Sequence, residues 1–286
     1  MKFSVLPARI EFEAQDRLEL PAGKESNLFR GAFGAALRRI CCGHAGPGDH
    51  DPCTYARFFE PRWPAGPSGY RYAPRPFVLR SQATTCPIAP GGTFSVEFIL
   101  FDPHQPPWRL LEDAFASAAT EGFGRTRARA RLTALHISEG GCLPLTGEPA
   151  SGTLRLRFVT PTELKESGSV VDEPRFPTLI HRLAERVRAL GCLYQGWAAG
   201  GWNQKDLILE AEAVKLTNWE WVRSDAFRRS SSNGQVHSIG GFTGSAEYAG
   251  PIGKFLPLLE IGRWVGVGRQ TVWGKGQIRV EHFTRC

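Results

Sequence analysis

A short glycine-rich motif that occurs twice in the 286-residue chain places the strongest constraint on its fold. Gly122-Phe-Gly-Arg and Gly266-Val-Gly-Arg each lie between a segment of helical periodicity and an alternating, strand-like segment. A motif repeated at equivalent points of two halves indicates that each half folds into the same kind of unit.

The first half of the sequence has the pattern β-α-β-β-α-β. Residues 2–13 alternate between apolar and polar side chains, as in a strand. After them Phe29, Phe33 and Leu37 form one apolar helical stripe, with Arg30, Gly34 and Arg38 on another face. The remaining elements are two strands, a second helix and a last strand, at residues 77–80, 94–101, 110–118 and 128–137.

The second half repeats this order. We expect a strand, a helix, one or two strands, a further strand, a short helix and a last strand, at residues 152–159, 176–192, 207–221, 239–248, 254–262 and 276–282. The order β-α-β-β-α-β is the split βαβ arrangement of a ferredoxin-like domain. The sequence therefore predicts an α+β protein of two tandem ferredoxin-like (RRM-like, βαββαβ) domains, residues 1–146 and 147–286.

The positive charge of the chain is concentrated near its C-terminus. The whole sequence has a net charge of +7, and residues 223–286 carry 9 Lys and Arg against 4 Asp and Glu. A basic tract within a foldable, glycine-rich region indicates a polyanionic partner.

The cysteines and the hydropathy of the sequence indicate the cellular location of the protein. The seven cysteines are odd in number and scattered, which argues against a disulfide scaffold and favours a reducing environment. No apolar run is long enough for a membrane span or the core of a signal peptide. We therefore expect a cytoplasmic protein without a membrane partner.

The segment from Gly266 to Gly276 combines glycines with basic and hydroxyl side chains. Glycines allow backbone N–H groups to approach phosphate oxygens, while Arg269 and Lys275 supply positive charge. The segment does not open a helix within a parallel βαβ unit and lacks the Walker A pattern, so a dinucleotide or P-loop site is excluded. A tight structural turn is the alternative explanation for the glycines.

Four blocks of the second half, in order, resemble CRISPR repeat-cleaving endoribonucleases of the RAMP superfamily. They are Phe227-Arg-Arg-Ser-Ser-Ser, Gly240-Gly-Phe-Thr-Gly-Ser-Ala-Glu-Tyr, Phe255-Leu-Pro-Leu-Leu-Glu-Ile-Gly and Gly266-Val-Gly-Arg-Gln-Thr-Val-Trp-Gly-Lys-Gly. Two blocks of the first half are similar to the first helix and following loop of that family, namely Leu28-Phe-Arg-Gly-Ala-Phe-Gly-Ala-Ala-Leu-Arg-Arg and Cys53-x-Tyr-x-x-x-Phe-Glu-Pro.

This resemblance implies an endoribonuclease that binds CRISPR repeat RNA and processes precursor crRNA into guide RNA. It implies cleavage without a metal ion or other cofactor, in which a ribose 2′-hydroxyl attacks the adjacent phosphate and leaves a 2′,3′-cyclic phosphate. Such a reaction requires a base, an acid and cations near the phosphate. Other subunits of a CRISPR effector complex are possible partners. A non-catalytic RNA-binding subunit of the same superfamily is the alternative function.

The resemblance also implies a catalytic histidine on or just after the first helix, in the N-terminal domain. His44 is the first candidate and His50 the second. An active site based on arginine is the alternative. In that case Arg38, at the end of the same helix, would position the phosphate and neutralise its charge.

The candidate RNA-binding residues are basic, hydroxyl, amide and glycine positions, most of them in the C-terminal domain. They are Arg39, Arg125, Arg127, Arg228, Arg229, Ser231, His237, Lys254, Gly266, Gly268, Arg269, Gln270 and Lys275.

Cys41, Cys42, His44 and Cys53 could instead supply zinc ligands. Adjacent cysteines and the lack of a Cys-x-x-Cys pair weaken this alternative, so we expect no bound metal. The two hypotheses for His44 compete, because a zinc ligand could not also act as a free general base.

Overall fold

The alternating segments of the sequence form two antiparallel sheets in the computed structural model of the protein. The structure describes residues 1–42, 53–63, 73–83, 86–104, 106–166, 168–198, 200–202, 204–224, 227–229, 236–238 and 240–286. The chain divides into two units. The N-terminal unit comprises residues 4–141 and 193–195, and the C-terminal unit comprises residues 1–3, 142–192 and 196–286.

Strands and helices of the first half follow the predicted order, with one additional short helix and one additional short strand. They are β1 (Lys2–Ala14), α1 (Glu25–Cys42), α2 (Thr54–Phe59), β2 (Phe77–Ser81), β3 (Thr93–Leu100), α3 (Trp108–Glu121), β4 (Ala130–Ile137) and β5 (Gly141–Pro144). The main strands lie in the order β2-β3-β1-β4, and all neighbours are antiparallel. The register aligns Phe12 with Phe94 and Ile10 with Leu135.

The core of the N-terminal unit is built from phenylalanines. Phe33 of α1 stacks on Phe115 of α3 with ring centres 4.3 Å apart, which fixes the two helices against each other. Phe33 also meets Phe98 of β3 edge to face at 5.7 Å. All three side chains are buried. Aromatic pairs of this kind add about 0.5–1.5 kcal/mol each beyond the burial of their area.

The second half contains β6 (Gly152–Thr162), β7 (Lys165–Glu166), β8 (Ser169–Val170), α4 (Phe176–Tyr194), α5 (Gln204–Ala211), β9 (Lys215–Ser224), β10 (Phe227–Arg229), β11 (Val236–Ser238), β12 (Gly241–Gly250), α6 (Leu256–Val265) and β13 (Ile278–Arg285). Its four-stranded sheet has the order β13-β6-β12-β9 with antiparallel neighbours. β7 pairs with β8, and β10 pairs with β11, as two small hairpins.

One predicted element is wrong. Residues 207–221 were expected to be one or two strands, but α5 occupies residues 204–211 and β9 begins only at Lys215. Leu207 and Ala211 lie four residues apart and are both buried, while Leu209 between them is 70% exposed. This short apolar run therefore has the period of a helix, and only the residues after it have the period of a strand.

Both sheets have the order of a ferredoxin-like fold, with a helix after the first strand and another before the last. The predicted α+β class with tandem βαββαβ units is confirmed. In the part of the chain that the structure describes, no helix is both long and apolar enough to cross a membrane.

Candidate functional site

The short helix α2 packs against the face of α1 that carries Arg30, Gly34 and Arg38. Gly34 lies in the middle of this face, and a Cβ atom at its position would lie 2.6 Å from Cε1 of Phe59. Arg30 and Arg38 flank the glycine one turn to either side. The guanidinium of Arg30 lies 5.1 Å from the centre of the Phe59 ring. The missing side chain therefore lets α2 pack directly against α1, between two arginines.

Arg38 makes the second of these contacts, 5.8 Å from the centre of the Tyr55 ring. Tyr55 in turn stacks on Phe59 with ring centres 5.2 Å apart. Burial raises the pKa of the Tyr55 phenol above its ordinary value, and the Glu60 carboxylate adds to this increase, while Arg38 acts in the opposite direction. Tyr55 is therefore a neutral hydrogen-bond donor at pH 7.

Arg39 differs from its neighbour, because its guanidinium pairs with the carboxylate of Glu121 at the end of α3. Glu121 also accepts a hydrogen bond of 3.0 Å from the hydroxyl of Ser117. Both members of the ion pair are partly exposed. Arg39 thus links α1 to α3, and its charge is partly compensated before any anion binds.

Cys42 ends α1 and Cys53 caps the N-terminus of α2, with their sulfur atoms 3.6 Å apart. Burial and the contact with Cys53 raise the pKa of Cys42 to about 11. Burial also raises the pKa of Cys41. Within the described ranges, no group of three or more His, Cys, Asp or Glu side chains could hold a metal ion. His44, the remaining zinc-ligand candidate, lies outside those ranges.

Three of the candidate residues cannot be placed. His44, His50 and Ser231 lie outside the described residues. For the β10–β11 hairpin the structure gives backbone pairing alone. It aligns Arg228 with His237 and Arg229 with Val236. Arg228, Arg229 and His237 are thus brought together on adjacent strands, although they are separate in the sequence.

In the glycine-rich loop of the C-terminal unit, close backbone contacts require the glycines. Gly268 has a φ of +80°, and a Cβ there would lie 2.3 Å from the carbonyl oxygen of Glu163. A Cβ on Gly276 would lie 1.9 Å from the carbonyl oxygen of Val267. Gly266 also has a positive φ, of +72°. The tight structural turn is therefore a sufficient reason for these glycines.

Backbone hydrogen bonds hold this loop against β6. The N–H of Arg269 donates to the carbonyl of Glu163 at 3.2 Å, and the N–H of Gly276 donates to the carbonyl of Pro161 at 3.1 Å. The N–H of Val267 donates to the carbonyl of Gly276 at 2.8 Å. These three N–H groups are used within the protein, so they do not form a phosphate cradle.

The basic side chains of the loop differ in exposure. The Arg269 side chain is 51% exposed and its guanidinium pairs with Glu163 at 2.6 Å. Lys275 is buried, with 6% of its surface exposed. Gln270 has a left-handed backbone with φ of +62° and is partly exposed. Arg269 is therefore the basic group of this loop that an RNA can reach without rearrangement. Outside the loop, Lys254 pairs with Glu210 at 2.7 Å on the surface.

The corresponding loop of the N-terminal unit has similar geometry. Gly122 and Gly124 have φ values of +92° and +75°, and a Cβ on Gly122 would lie 2.1 Å from the carbonyl oxygen of Arg127. Phe123 pairs with Ala128 across the turn. This turn presents the side chains of Arg125 and Arg127 to solvent.

The structure adds site residues that the sequence did not identify: Arg30, Tyr55, Arg75 and Glu163. Tyr55 lies between the charges of Arg38, Arg30 and Glu60. Arg75 donates from its Nε to the carbonyl of Phe59 at 3.2 Å. The spacing of Arg30, Gly34 and Arg38 along one helical face was a usable signal for this cluster. Nothing in the sequence indicated that Glu163 contacts the glycine-rich loop, 106 residues away.

Two family models match the chain. The AF_1859_N family, described as an N-terminal domain, matches residues 3–147, and the model described as CRISPR-associated endoribonuclease Cas6 matches residues 156–278. The first match covers half of the chain. The second includes most of β6 and the whole of α4, both hairpins, β12, α6 and the glycine-rich loop. No curated protein matches the chain.

Solved structures of similar fold include Cas6 proteins over their full length. Thermus thermophilus Cas6 (TTHB231) is 16% identical, with a TM-score of 0.56 over 98% of this chain and 99% of that chain. A product complex of Cas6 (TTHA0078) is 20% identical, with a TM-score of 0.51 over 97% of this chain and 100% of that chain. At these identities the likeness shows the fold.

The order of the two matched segments agrees with the two ferredoxin-like units and with the position of the glycine-rich loop. By these matches the chain belongs to the AF_1859_N family, and its second half, which carries the glycine-rich loop, is similar to the CRISPR-associated endoribonuclease Cas6.

Proposed function

We propose that this protein binds CRISPR repeat RNA and cleaves precursor crRNA without a metal ion, through attack of a ribose 2′-hydroxyl on the adjacent phosphate. The observation that carries the proposal is the match of residues 156–278 to the Cas6 endoribonuclease model. Product complexes of two Cas6 proteins, TTHB231 and TTHA0078, have the same fold, which supports repeat RNA as the substrate.

In the proposed reaction the 2′-oxygen forms a bond to phosphorus while the bond from phosphorus to the 5′-oxygen breaks. A base takes the proton of the 2′-hydroxyl, and an acid protonates the leaving 5′-oxygen. The products are a 2′,3′-cyclic phosphate and a free 5′-hydroxyl. Because DNA lacks the 2′-hydroxyl, the reaction is restricted to RNA.

We assign the chemistry to the N-terminal unit. His44, with His50 as the second candidate, is the proposed proton-transfer residue, on the basis of sequence position alone. Arg38 is the proposed phosphate ligand: it is exposed, near the end of α1, and its guanidinium lies against the Tyr55 ring. A guanidinium stays protonated at neutral pH, so Arg38 would stabilise the charge of the transition state and would not act as a base.

We assign RNA binding mainly to the C-terminal unit. Arg269 is exposed on the glycine-rich loop, and the β10–β11 hairpin brings Arg228 and His237 into register. Other CRISPR subunits are proposed partners, since the Cas6 fold also occurs in a Cas6-RT-Cas1--Cas2 complex. We also propose a cytoplasmic location, because the scattered free cysteines are typical of a reducing compartment.

One assay tests the proposal. The protein is incubated in EDTA with the repeat RNA of its own locus, and in parallel with a repeat that has a single 2′-deoxy nucleotide at the cut site. We expect cleavage of the first RNA, with a cyclic phosphate end detected by mass spectrometry, and none of the second. Binding without cleavage of either RNA would instead support a non-catalytic RNA-binding subunit.

His44→Ala then tests the proposed proton-transfer residue. The cleavage rate should fall by about 10²-fold or more if His44 acts as the base or the acid. His181→Ala is the matched control, because His181 is partly exposed on α4 beside Glu185. An unchanged rate for His44→Ala would transfer the assignment to His50 or to an arginine-based site.

A further inference from the structure

Two cysteines face each other where the first two helices of the N-terminal unit meet. Cys42 is the last residue of α1 and Cys53 caps α2, and their sulfur atoms lie 3.6 Å apart. Both thiols are free, and both residues are partly exposed. The proposed cleavage reaction uses neither of them. Two neighbouring thiols that are partly open to solvent are a candidate site for reversible oxidation.

The geometry of this pair is compatible with a disulfide bond. An S–S bond is about 2.05 Å long, so the two sulfur atoms would have to approach each other by about 1.5 Å. Both residues lie at helix ends, and Cys53 has an extended backbone with φ of −97° and ψ of 161°. Side-chain rotation and small adjustments at these two ends can supply the movement with little change inside either helix.

Sulfur atoms also hold the first turn of α2. The sulfur of Cys53 accepts the backbone N–H of Ala56 at 3.4 Å. The sulfur of Cys41 accepts the backbone N–H of Tyr55. A bond between Cys42 and Cys53 would pull one of these two acceptors toward α1, so the first turn of α2 would have to move with it.

This movement would reach the residues to which we assign the chemistry. Tyr55 follows Cys53 by two residues, and its ring lies 5.8 Å from the guanidinium of Arg38, one helical turn before Cys42. A displacement of about 1 Å in a catalytic site can slow a reaction by about 10²-fold. The approach of the two sulfur atoms is therefore large enough to affect cleavage.

We propose that Cys42 and Cys53 form a site of reversible oxidation, at which a small-molecule disulfide such as glutathione disulfide creates an intramolecular bond that slows RNA cleavage. The effect on cleavage rests on the proposed function, whereas formation of the bond does not. In a reducing compartment, disulfides are usually transient and redox-sensing, in agreement with this kind of site.

The oxidation is a pair of thiol–disulfide exchange steps. The thiolate of one cysteine attacks a sulfur atom of glutathione disulfide, forms a mixed disulfide and releases one glutathione. The second cysteine loses its proton and attacks the protein sulfur of the mixed disulfide, and the second glutathione leaves. The two protein thiols lose two electrons and two protons, and glutathione disulfide gains them as two glutathione thiols. Excess reduced thiol reverses both steps.

Mass spectrometry tests whether the bond forms. The full-length protein is incubated with glutathione disulfide, the reagent is removed, and the remaining thiols are alkylated before digestion with trypsin. Residues 40–57 form one tryptic peptide that contains Cys41, Cys42 and Cys53. We expect this peptide to carry one alkyl group after oxidation and three after prior treatment with dithiothreitol.

Single-turnover cleavage of the repeat RNA tests the consequence. The oxidised protein should cleave about tenfold more slowly or less than the reduced protein, and dithiothreitol should restore the rate. Cys53→Ser removes the bond but keeps a residue that is favoured at a helix N-cap, so its rate should change by less than about twofold on oxidation.

Cys41→Ser is the matched control, because it alters the adjacent cysteine and leaves the proposed pair intact. It should keep both the bond and the slower cleavage after oxidation. Thermal melting shows whether each variant is folded.

Three results would overturn the inference. The first is an oxidised wild-type peptide with three alkyl groups, and the second is loss of the bond in Cys41→Ser. The third is a bond that forms without slowing cleavage, or slowing that persists in Cys53→Ser. If the reduced protein cleaves no repeat RNA, the proposed function itself fails, and the mapping of the bond still decides whether Cys42 and Cys53 pair.

Discussion

The guanidinium of Arg38 lies 5.8 Å from the centre of the Tyr55 ring, and this contact joins the last turns of α1 to the first turn of α2. Tyr55 is itself fixed by stacking on Phe59. A cation held over an aromatic face gains about 0.5–1 kcal/mol at an exposed site. The contact therefore orients the Arg38 side chain on the surface.

This orientation predicts different effects for two changes at Tyr55. Tyr55→Phe keeps the ring, so we expect single-turnover cleavage within about twofold of wild type. Tyr55→Ala removes the ring that positions Arg38, and cleavage should slow about tenfold or more. Arg38→Ala should cost about 10²-fold, because it removes the charge itself. If Tyr55→Phe slows the reaction as much as Tyr55→Ala, the hydroxyl and not the ring carries the role.

Gly34 and Gly31 offer a matched pair on α1. Alanine raises helix propensity at both positions by about 1 kcal/mol. At Gly31 the added methyl group meets nothing within 4 Å, so Gly31→Ala should raise the melting temperature slightly and leave cleavage unchanged. At Gly34 the methyl group would lie 2.6 Å from the Phe59 ring.

We therefore expect Gly34→Ala to displace α2, to lower the melting temperature and to reduce cleavage. Thermal melting and single-turnover kinetics measured on both variants give the comparison. Equal behaviour of the two variants would mean that α2 does not need the close contact at Gly34.

The glycine-rich loop should be sensitive to substitution for structural reasons. Gly276→Ala places a Cβ 1.9 Å from the Val267 carbonyl at a φ of +69°, and should destabilise the protein by about 3 kcal/mol or more. Gly23→Ala is the control, because Gly23 has a φ of +70° with nothing within 4 Å. It should cost about 1 kcal/mol of backbone strain. Thermal melting of both variants, monitored by circular dichroism, distinguishes the cost of backbone strain from the cost of steric overlap.

Arg269 and Lys275 lie in the same loop but should behave differently toward salt. Arg269→Ala should weaken RNA binding and reduce the slope of log affinity against log salt by about one phosphate contact. Lys275 is buried, so Lys275→Met should change the melting temperature and leave that slope unchanged. RNA affinities of both variants, measured from low to moderate salt concentration, test this difference. A reduced slope for Lys275→Met would mean that Lys275 reaches the RNA.

Cys42 should react slowly with alkylating reagents. Its pKa is raised from 9.0 to about 11 by burial and by the Cys53 thiol, so at pH 8 its thiolate fraction is about 100-fold below that of an ordinary cysteine. Exposed Cys286 is the internal reference in a mass-spectrometric labelling experiment. The stability that protonated Cys42 contributes is full below pH 9 and is lost as the pH rises through about 11. Equal labelling rates would contradict the raised pKa.

Much of the fold could be predicted from the sequence, because periodicity reports burial directly. The stripe of Leu179, Leu183 and Val187 on α4 is fully buried, as a 3.6-residue period requires. Residues 207–211 were assigned wrongly to a strand, because an apolar run of this length fits a strand or a helix equally well.

The candidate site was harder to predict from the sequence than the fold, because its contacts join distant parts of the chain. The glycines at 266, 268 and 276 indicated a phosphate-binding loop, but the structure explains them by contacts with β6 and within the loop itself. Lys275 was proposed as an RNA ligand, and its burial follows from the fold of the turn and has no signal in the local sequence.

The sequence by itself determined two copies of one βαββαβ unit, a basic glycine-rich loop and a resemblance to an RNA-cleaving family, because these depend on periodicity, composition and local motifs. Only the tertiary structure decided that α2 lies between Arg30 and Arg38, and that Glu163 holds Arg269. The physical reason is that such contacts depend on strand register and on close approach at particular glycines, which fix distances between residues far apart in the chain.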